Sequence, residues 1–288
     1  MPPAPTRSEN PAPTGAAPRI GIALSGGGAR GIAHIGVIKA LLEHGIVPEV
    51  VAGTSSGAII GALYAYGMDA AQLQDFARGG VGIRLLRIVN PLRGLIKLTL
   101  LREKLAAVLP TDDFECLRRP LAVTATNLQT GDLEIFEDGP LIAAVQASCA
   151  VPLLFHPVEI GGQQYIDGGL YMNLPAAPIR ERCDVLIGSN VMPHEQAEVG
   201  RLSSVFSISN RVFDLAVHHN SLEARGLCDF LLEPIELKGY HVYNFTKADD
   251  LVDVGYREMM ARMGALEEVL AQAALKKSPP ATAHRSTP

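Results

Sequence analysis

The sequence predicts an α/β fold built on a central, mostly parallel sheet with helices on both faces. Short apolar runs alternate with helix-period stretches along "RIGIALSG", "GIAHIGVIKALLEHG", "PEVVAG" and "SGAIIGALYAYG". Strand, helix and strand at this spacing require crossover connections and therefore parallel neighbours. Two later hairpin patterns make the sheet mixed at one side.

Each element has a local reason. "RIGIALSG" is a short run suited to a strand buried on both faces. From Gly31, the residues Ile32, Ile35, Ile38, Leu41 and Leu42 share one helical stripe, and Gly45 suits the position just past that helix. "PEVVAG" is a second strand, followed by a helix ending near Gly67. "LAVTATNL" and "LEIFE" form a hairpin around Gln129–Asp132, and "HPVEIGGQQYIDGG" another that turns at Gly161–Gly162. "DVLIGSNV" and "DFLLEPIEL" are further strands, separated by a helix around 203–226. A long helix over about 248–275 closes the fold. The Pro-, Ala- and Thr-rich ends, 1–18 and 276–288, read as disordered tails around one body, 19–275.

Composition narrows the function. Of 288 residues, 48% are hydrophobic and 19% charged, a globular balance that supplies a large core. The net charge of −5 gives no general attraction to nucleic acid. Cys116, Cys149, Cys183 and Cys228 are scattered, which fits neither a zinc site nor a disulfide scaffold. No apolar run approaches the ~18 residues that span a bilayer, and the N-terminus lacks an apolar signal core. The expectation is a cytoplasmic protein, with peripheral membrane contact left open.

Two loops carry the chemistry. "SGGGARG", after the first strand, fits the dinucleotide spacing through Gly26, Gly28 and Gly31. That reading wants an acid at the end of the second strand, and the nearby Glu49 lies at its beginning. The end of that strand carries "GTSSG" (53–57) instead. A serine framed as G-x-S-x-G between strand and helix fits a nucleophile elbow, with Ser55 as nucleophile. The alternative is a serine-rich helix cap, for which Ser56 is the more ordinary candidate. Backbone N–H groups of Gly26, Gly27 and Gly28 are then placed to form an oxyanion hole for the attacked carbonyl. Arg30 is a candidate for binding a substrate phosphate or carboxylate, or else a structural arginine.

A serine needs a base. The eight histidines give no clear candidate: His34 and His44 fall in or at the end of a helix, His218 and His219 in another, and His156 borders a hairpin. Asp167 in "YIDGG" ends a strand ahead of two glycines, as a catalytic carboxylate or as an Asp-Gly turn.

"GGGARG" (26–31), "GTSSG" (53–57) and "DGG" (167–169), with "ASCAVPLLFHP" (147–157) and "NLP" (173–175), resemble in order and spacing the patatin-like phospholipase family over about residues 20–190. The resemblance implies a three-layer α/β/α sandwich and a lipid acyl hydrolase acting through a Ser–Asp dyad without histidine. It assigns Ser55 as nucleophile, Asp167 as base and the glycines at 26–28 to the oxyanion hole, with no metal or cofactor. The substrate it implies is a phospholipid or lysophospholipid. Two rivals stay open: a Ser-His-Asp esterase using Ser55, Asp167 and a histidine such as His218, and a non-catalytic nucleotide- or phospholipid-binding module.

The segment 82–104 is basic within an acidic chain, with Arg84, Arg87, Arg93, Lys97, Arg102 and Lys104 against Glu103. It suits a lipid surface or a lid. The plainer alternative is two helices joined at Asn90–Pro91.

Overall fold

A computed structural model describes residues 17–79, 98–194 and 203–277. The core of the sheet is strand β1 (Ile20–Leu24), every residue of which is buried. It pairs in parallel with β2 (Val50–Gly53) on one edge and with β7 (Val185–Ser189) on the other. β2 continues in parallel to β3 (Leu121–Asn127), and β7 to β8 (Phe230–Leu232). The mixed side is as expected: β4 (Leu133–Phe136), β5 (Val158–Ile160) and β6 (Gln163–Asp167) join through antiparallel pairings. The described residues thus form a mostly parallel eight-stranded sheet flanked by helices.

Register along β3 decides where the site forms. β2 pairs with Leu121–Val123 and β6 with Ala125–Asn127, while β4 pairs with Val123–Thr126. A residue has only two edges to pair through. β4 therefore takes one edge of β3, and β2 and β6 share the other, running toward each other. Their C-terminal ends meet at Thr124: the Thr54 hydroxyl is 2.7 Å from that of Thr124, and Gly168 packs directly on Thr124.

The period-2 alternation of the strands sorts the core into two layers. Ile20, Ile22, Leu24, Val51, Leu121 and Ile187 face one side. There they pack with α1 (Ala33–Glu43), α2 (Ser56–Tyr66) and α8 (Ala248–Ala261). α3 (Ala70–Arg78), α4 (Thr99–Ala106) and α5 (Leu141–Ser148) complete this layer. Ala23, Val50, Ala52, Ala122 and Leu186 face the other side, against the short α6 (Ala177–Arg180) and α7 (Val205–Leu227).

The expected final helix is two: α8, then α9 (Met263–Lys277). Arg262 breaks it, donating to the Leu231 carbonyl at 3.0 Å with its guanidinium over the Phe230 ring. The tails lie almost wholly outside the described residues, as does 82–97 of the basic segment. The remainder, 98–104, belongs to a packed helix: Leu101 and Leu105 of α4 are buried, and Gln146 of α5 donates to the Leu98 carbonyl at 2.8 Å. Among the described residues no helix is long and apolar enough to cross a membrane.

Candidate active site

Ser55 sits between β2 and α2 with φ 54° and ψ −122°, a left-handed conformation that costs a non-glycine residue ~1–3 kcal/mol. The surroundings impose it. The Gly57 N–H donates to the Thr54 carbonyl at 2.8 Å, so the chain doubles back at once into α2. A side chain at Gly53 would lie 2.5 Å from the Gly57 carbonyl oxygen, and one at Gly57 would run into the Leu24 carbonyl. The Ser55 N–H donates to the Ser148 hydroxyl at 2.8 Å, which pins the strained residue to the end of α5. Ser55 also occupies the N-terminus of α2, where the dipole and unpaired N–H groups favour negative charge.

Asp167 ends β6 and is buried. Its N–H donates to the Ala150 carbonyl at 3.0 Å, and its carboxyl accepts the Gly169 N–H at 2.7 Å. The Ser55 hydroxyl is near enough to the same carboxyl to favour its ionised form. Burial pushes the Asp167 pKa up to about 7, with the Ser55 and Gly169 hydrogen bonds pulling the other way. The structure thus brings together the two residues singled out from separate loops, and leaves the carboxyl basic enough to accept a proton near neutrality.

No histidine bonds to Ser55 or Asp167 among the described residues. His34 is buried, and desolvation lowers its pKa to about 4, so it is neutral. Its Nε2–H donates to the Ser25 carbonyl at 2.9 Å, and Nδ1 accepts from the Ser189 hydroxyl at 2.9 Å. It fastens the entry to the glycine loop. His218 stacks on His194 with ring centroids 3.9 Å apart. Cys149 lies beside Ser55. Burial, then the charge of Asp167, pushes its thiol well above the usual range, so it stays protonated and is no rival nucleophile.

The glycine loop closes over the elbow. Gly26 packs against Ser55, where a side chain would come within 3.1 Å of the serine Cβ, and Gly31 leaves room for Ser56. Gly28 has φ 56° and abuts the Val242 carbonyl. The Gly26 N–H is already spent, donating to the Asn173 carbonyl at 3.1 Å. The N–H groups of Gly27 and Gly28 have no acceptor among the described residues. Arg30 is turned inward and buried; its Nε donates to the Tyr240 carbonyl at 2.7 Å.

Sequence reasoning missed the residues that join these loops. Asn220, on α7, donates through Nδ2 to the carbonyls of Gly169 at 2.8 Å and Leu170 at 3.1 Å. Its Oδ1 accepts the Asn173 N–H at 3.0 Å, and Asn173 in turn holds Gly26. One asparagine therefore ties the loop after Asp167 to the loop over Ser55. "NLP" was a signal for Asn173, and "ASCAVPLLFHP" contains Ser148; nothing local marks Asn220.

A mostly parallel sheet flanked by helices, with a strained serine elbow beside a buried aspartate, defines a class of α/β/α protein with a candidate serine site. The patatin-like phospholipase family model matches residues 22–179, and the chain belongs to that family. An uncharacterized NTE family protein of Mycobacterium bovis is 37% identical over 168 residues, covering 56% of this chain and 46% of that protein. Patatin-like phospholipase domain-containing protein 7 of Mus musculus is 25% identical over 293 residues, covering 87% of this chain and 21% of that protein. The chain thus spans less than half the length of these relatives. Among solved structures, human GIVD cytosolic phospholipase A2 aligns with a TM-score of 0.50 at 12% identity, over 91% of this chain and 61% of that one, which is a likeness of fold.

Proposed function

We propose that this protein is a serine acyl hydrolase that cleaves carboxylic esters of phospholipids or lysophospholipids through a Ser55–Asp167 dyad. The observation that carries the reading is the Ser55 hydroxyl, held in a strained elbow against a buried carboxyl whose pKa stands near 7. The family and the names of its relatives support the ester and lipid class.

In this mechanism Ser55 Oγ attacks the ester carbonyl carbon while Asp167 takes the hydroxyl proton. The carbonyl oxygen becomes an oxyanion held by the N–H groups of Gly27 and Gly28 and the N-terminus of α2. Collapse of the tetrahedral intermediate breaks the ester C–O bond, and the leaving alcohol takes the proton from Asp167. Water then attacks the acyl-serine, again giving its proton to Asp167. The fatty acid departs and Ser55 recovers its proton. No step calls for a metal or cofactor. The Gly26 N–H is committed to the Asn173 carbonyl and the Arg30 Nε to the Tyr240 carbonyl, so this reading assigns neither of these groups to the substrate.

The test is incubation with phospholipids of two different acyl chains and mass spectrometry of the products. Release of free fatty acid by wild type, lost in Ser55→Ala and retained to at least a tenth in each single histidine variant, is expected. A folded histidine variant as inactive as Ser55→Ala would move the protein to the triad mechanism.

A further inference from the structure

We propose that α7 carries a self-association seam, along which a second copy of this chain lays its own α7 in parallel register. The helix is 23 residues long and opens with a capping box between Ser204 and Ser207. Its inner side faces the body through Val217, Ser221 and Ala224. Its outer side is apolar: Val205 is 83% exposed, Ile208 49%, Val212 61%, Leu215 46% and Leu222 48%. Between 205 and 222, every exposed position described is one of these five aliphatics or His219. A solvated helix carries polar residues on such a face.

The spacing identifies the occupant. Positions 205, 208, 212, 215, 219 and 222 step by three and four alternately, which is the a/d seam of a coiled coil. Val205 and Val212 fall at a, and Ile208, Leu215 and Leu222 at d. β-branched residues at a with leucine at d favour a parallel pair, and His219 at the remaining a position fixes its register. A helix lying in a lipid interface instead carries aromatics on its apolar face and Lys or Arg along its polar one. The positions flanking this stripe, Ser209, Arg211, Ala216, His218, Glu223 and Arg225, carry both signs of charge and small polar residues rather than a basic face.

Area and charge agree. At ~170–200 Å² for a fully exposed Val, Ile or Leu, the five exposures amount to about 500 Å² per copy, the upper range for a patch on a monomer. Two copies would remove roughly 1,000 Å² of aliphatic surface before the polar flanks are added, which reaches the lower bound for a specific interface. In parallel register Arg211 faces Ala216 of the second copy and His218 faces Glu223. No like charges meet across the parallel seam.

The seam is tested on the full chain by sedimentation velocity from 1 to 100 µM, without lipid. Wild type is expected to sediment as a dimer, and Val212→Glu combined with Leu215→Glu as a monomer with unchanged thermal midpoint, since both sites are exposed. Independently, Ile208→Cys faces its own copy across a parallel seam and is expected to give an oxidised dimer on a non-reducing gel that wild type, with its four native cysteines, does not. Wild type that stays monomeric at 100 µM overturns the proposal. So does monomeric wild type that co-sediments with phosphatidylcholine vesicles when the double variant does not, which would make the stripe a lipid face. A dimer in which Ile208→Cys fails to cross-link overturns the parallel arrangement.

Discussion

Replacing Asp167 by asparagine should make the protein more stable above neutral pH while destroying its activity. In the folded protein burial raises the carboxyl from 3.8 to about 7, whereas the unfolded chain ionises it at its ordinary value. Between those values the native state holds a proton that the unfolded state has released. Stability from this group is therefore full below pH 3.8 and is lost as pH rises toward 7. A difference of about three pKa units at ~1.36 kcal/mol each amounts to roughly 4 kcal/mol over the whole titration, of which somewhat more than half falls between pH 5 and pH 8. Asparagine keeps an oxygen to accept the Gly169 N–H and has no proton to lose. Urea unfolding of wild type and Asp167→Asn at pH 5, 6, 7 and 8 isolates the group, because all other titrations cancel in the difference. The advantage of the variant should widen by roughly 2 to 3 kcal/mol across that range. A difference that is flat with pH would mean that Asp167 does not titrate as a buried base, and the dyad would lose its proton acceptor.

Other consequences follow from the same geometry. Ser55→Ala should abolish turnover with the fold intact, while Ser56→Ala, whose hydroxyl has no partner, should keep most of it on a chromogenic ester. Activity at saturating substrate should rise with pH through about 7 as Asp167 deprotonates, and a profile flat from pH 5 to 8 would contradict that role. Asn220→Ala removes three hydrogen bonds from the two catalytic loops. It should cost ~1–3 kcal/mol of stability and lower kcat at least tenfold with little change in KM; an unchanged kcat would show that the clamp does not serve the site.

How far the sequence reaches depends on whether a feature is local. β1 and β2 are legible because strands buried on both faces are continuous apolar runs, and the elbow because Gly53 is forced by backbone contacts within five residues, although Gly57 answers to the Leu24 carbonyl of β1. Asp167 alone reads equally as a turn. What makes it a partner of Ser55 is the sharing of one edge of β3 by β2 and β6, a register that no local pattern encodes. For the same reason Asn220 was invisible, since it acts on a loop about fifty residues away in the chain. Gly26 was one of three equivalent glycines until Asn173 took its N–H. The break at Arg262 depends on β8, which the helical periodicity of 248–275 does not contain.

The most direct test of the dyad is covalent. An alkyl fluorophosphonate reacts only with an activated serine, and peptide mapping by mass spectrometry locates the adduct. The account predicts one adduct, on Ser55, forming in wild type and in every single histidine variant, and at least a hundredfold more slowly in Asp167→Asn. An adduct on another residue, no adduct at all, or labelling of Asp167→Asn at the wild-type rate would contradict it.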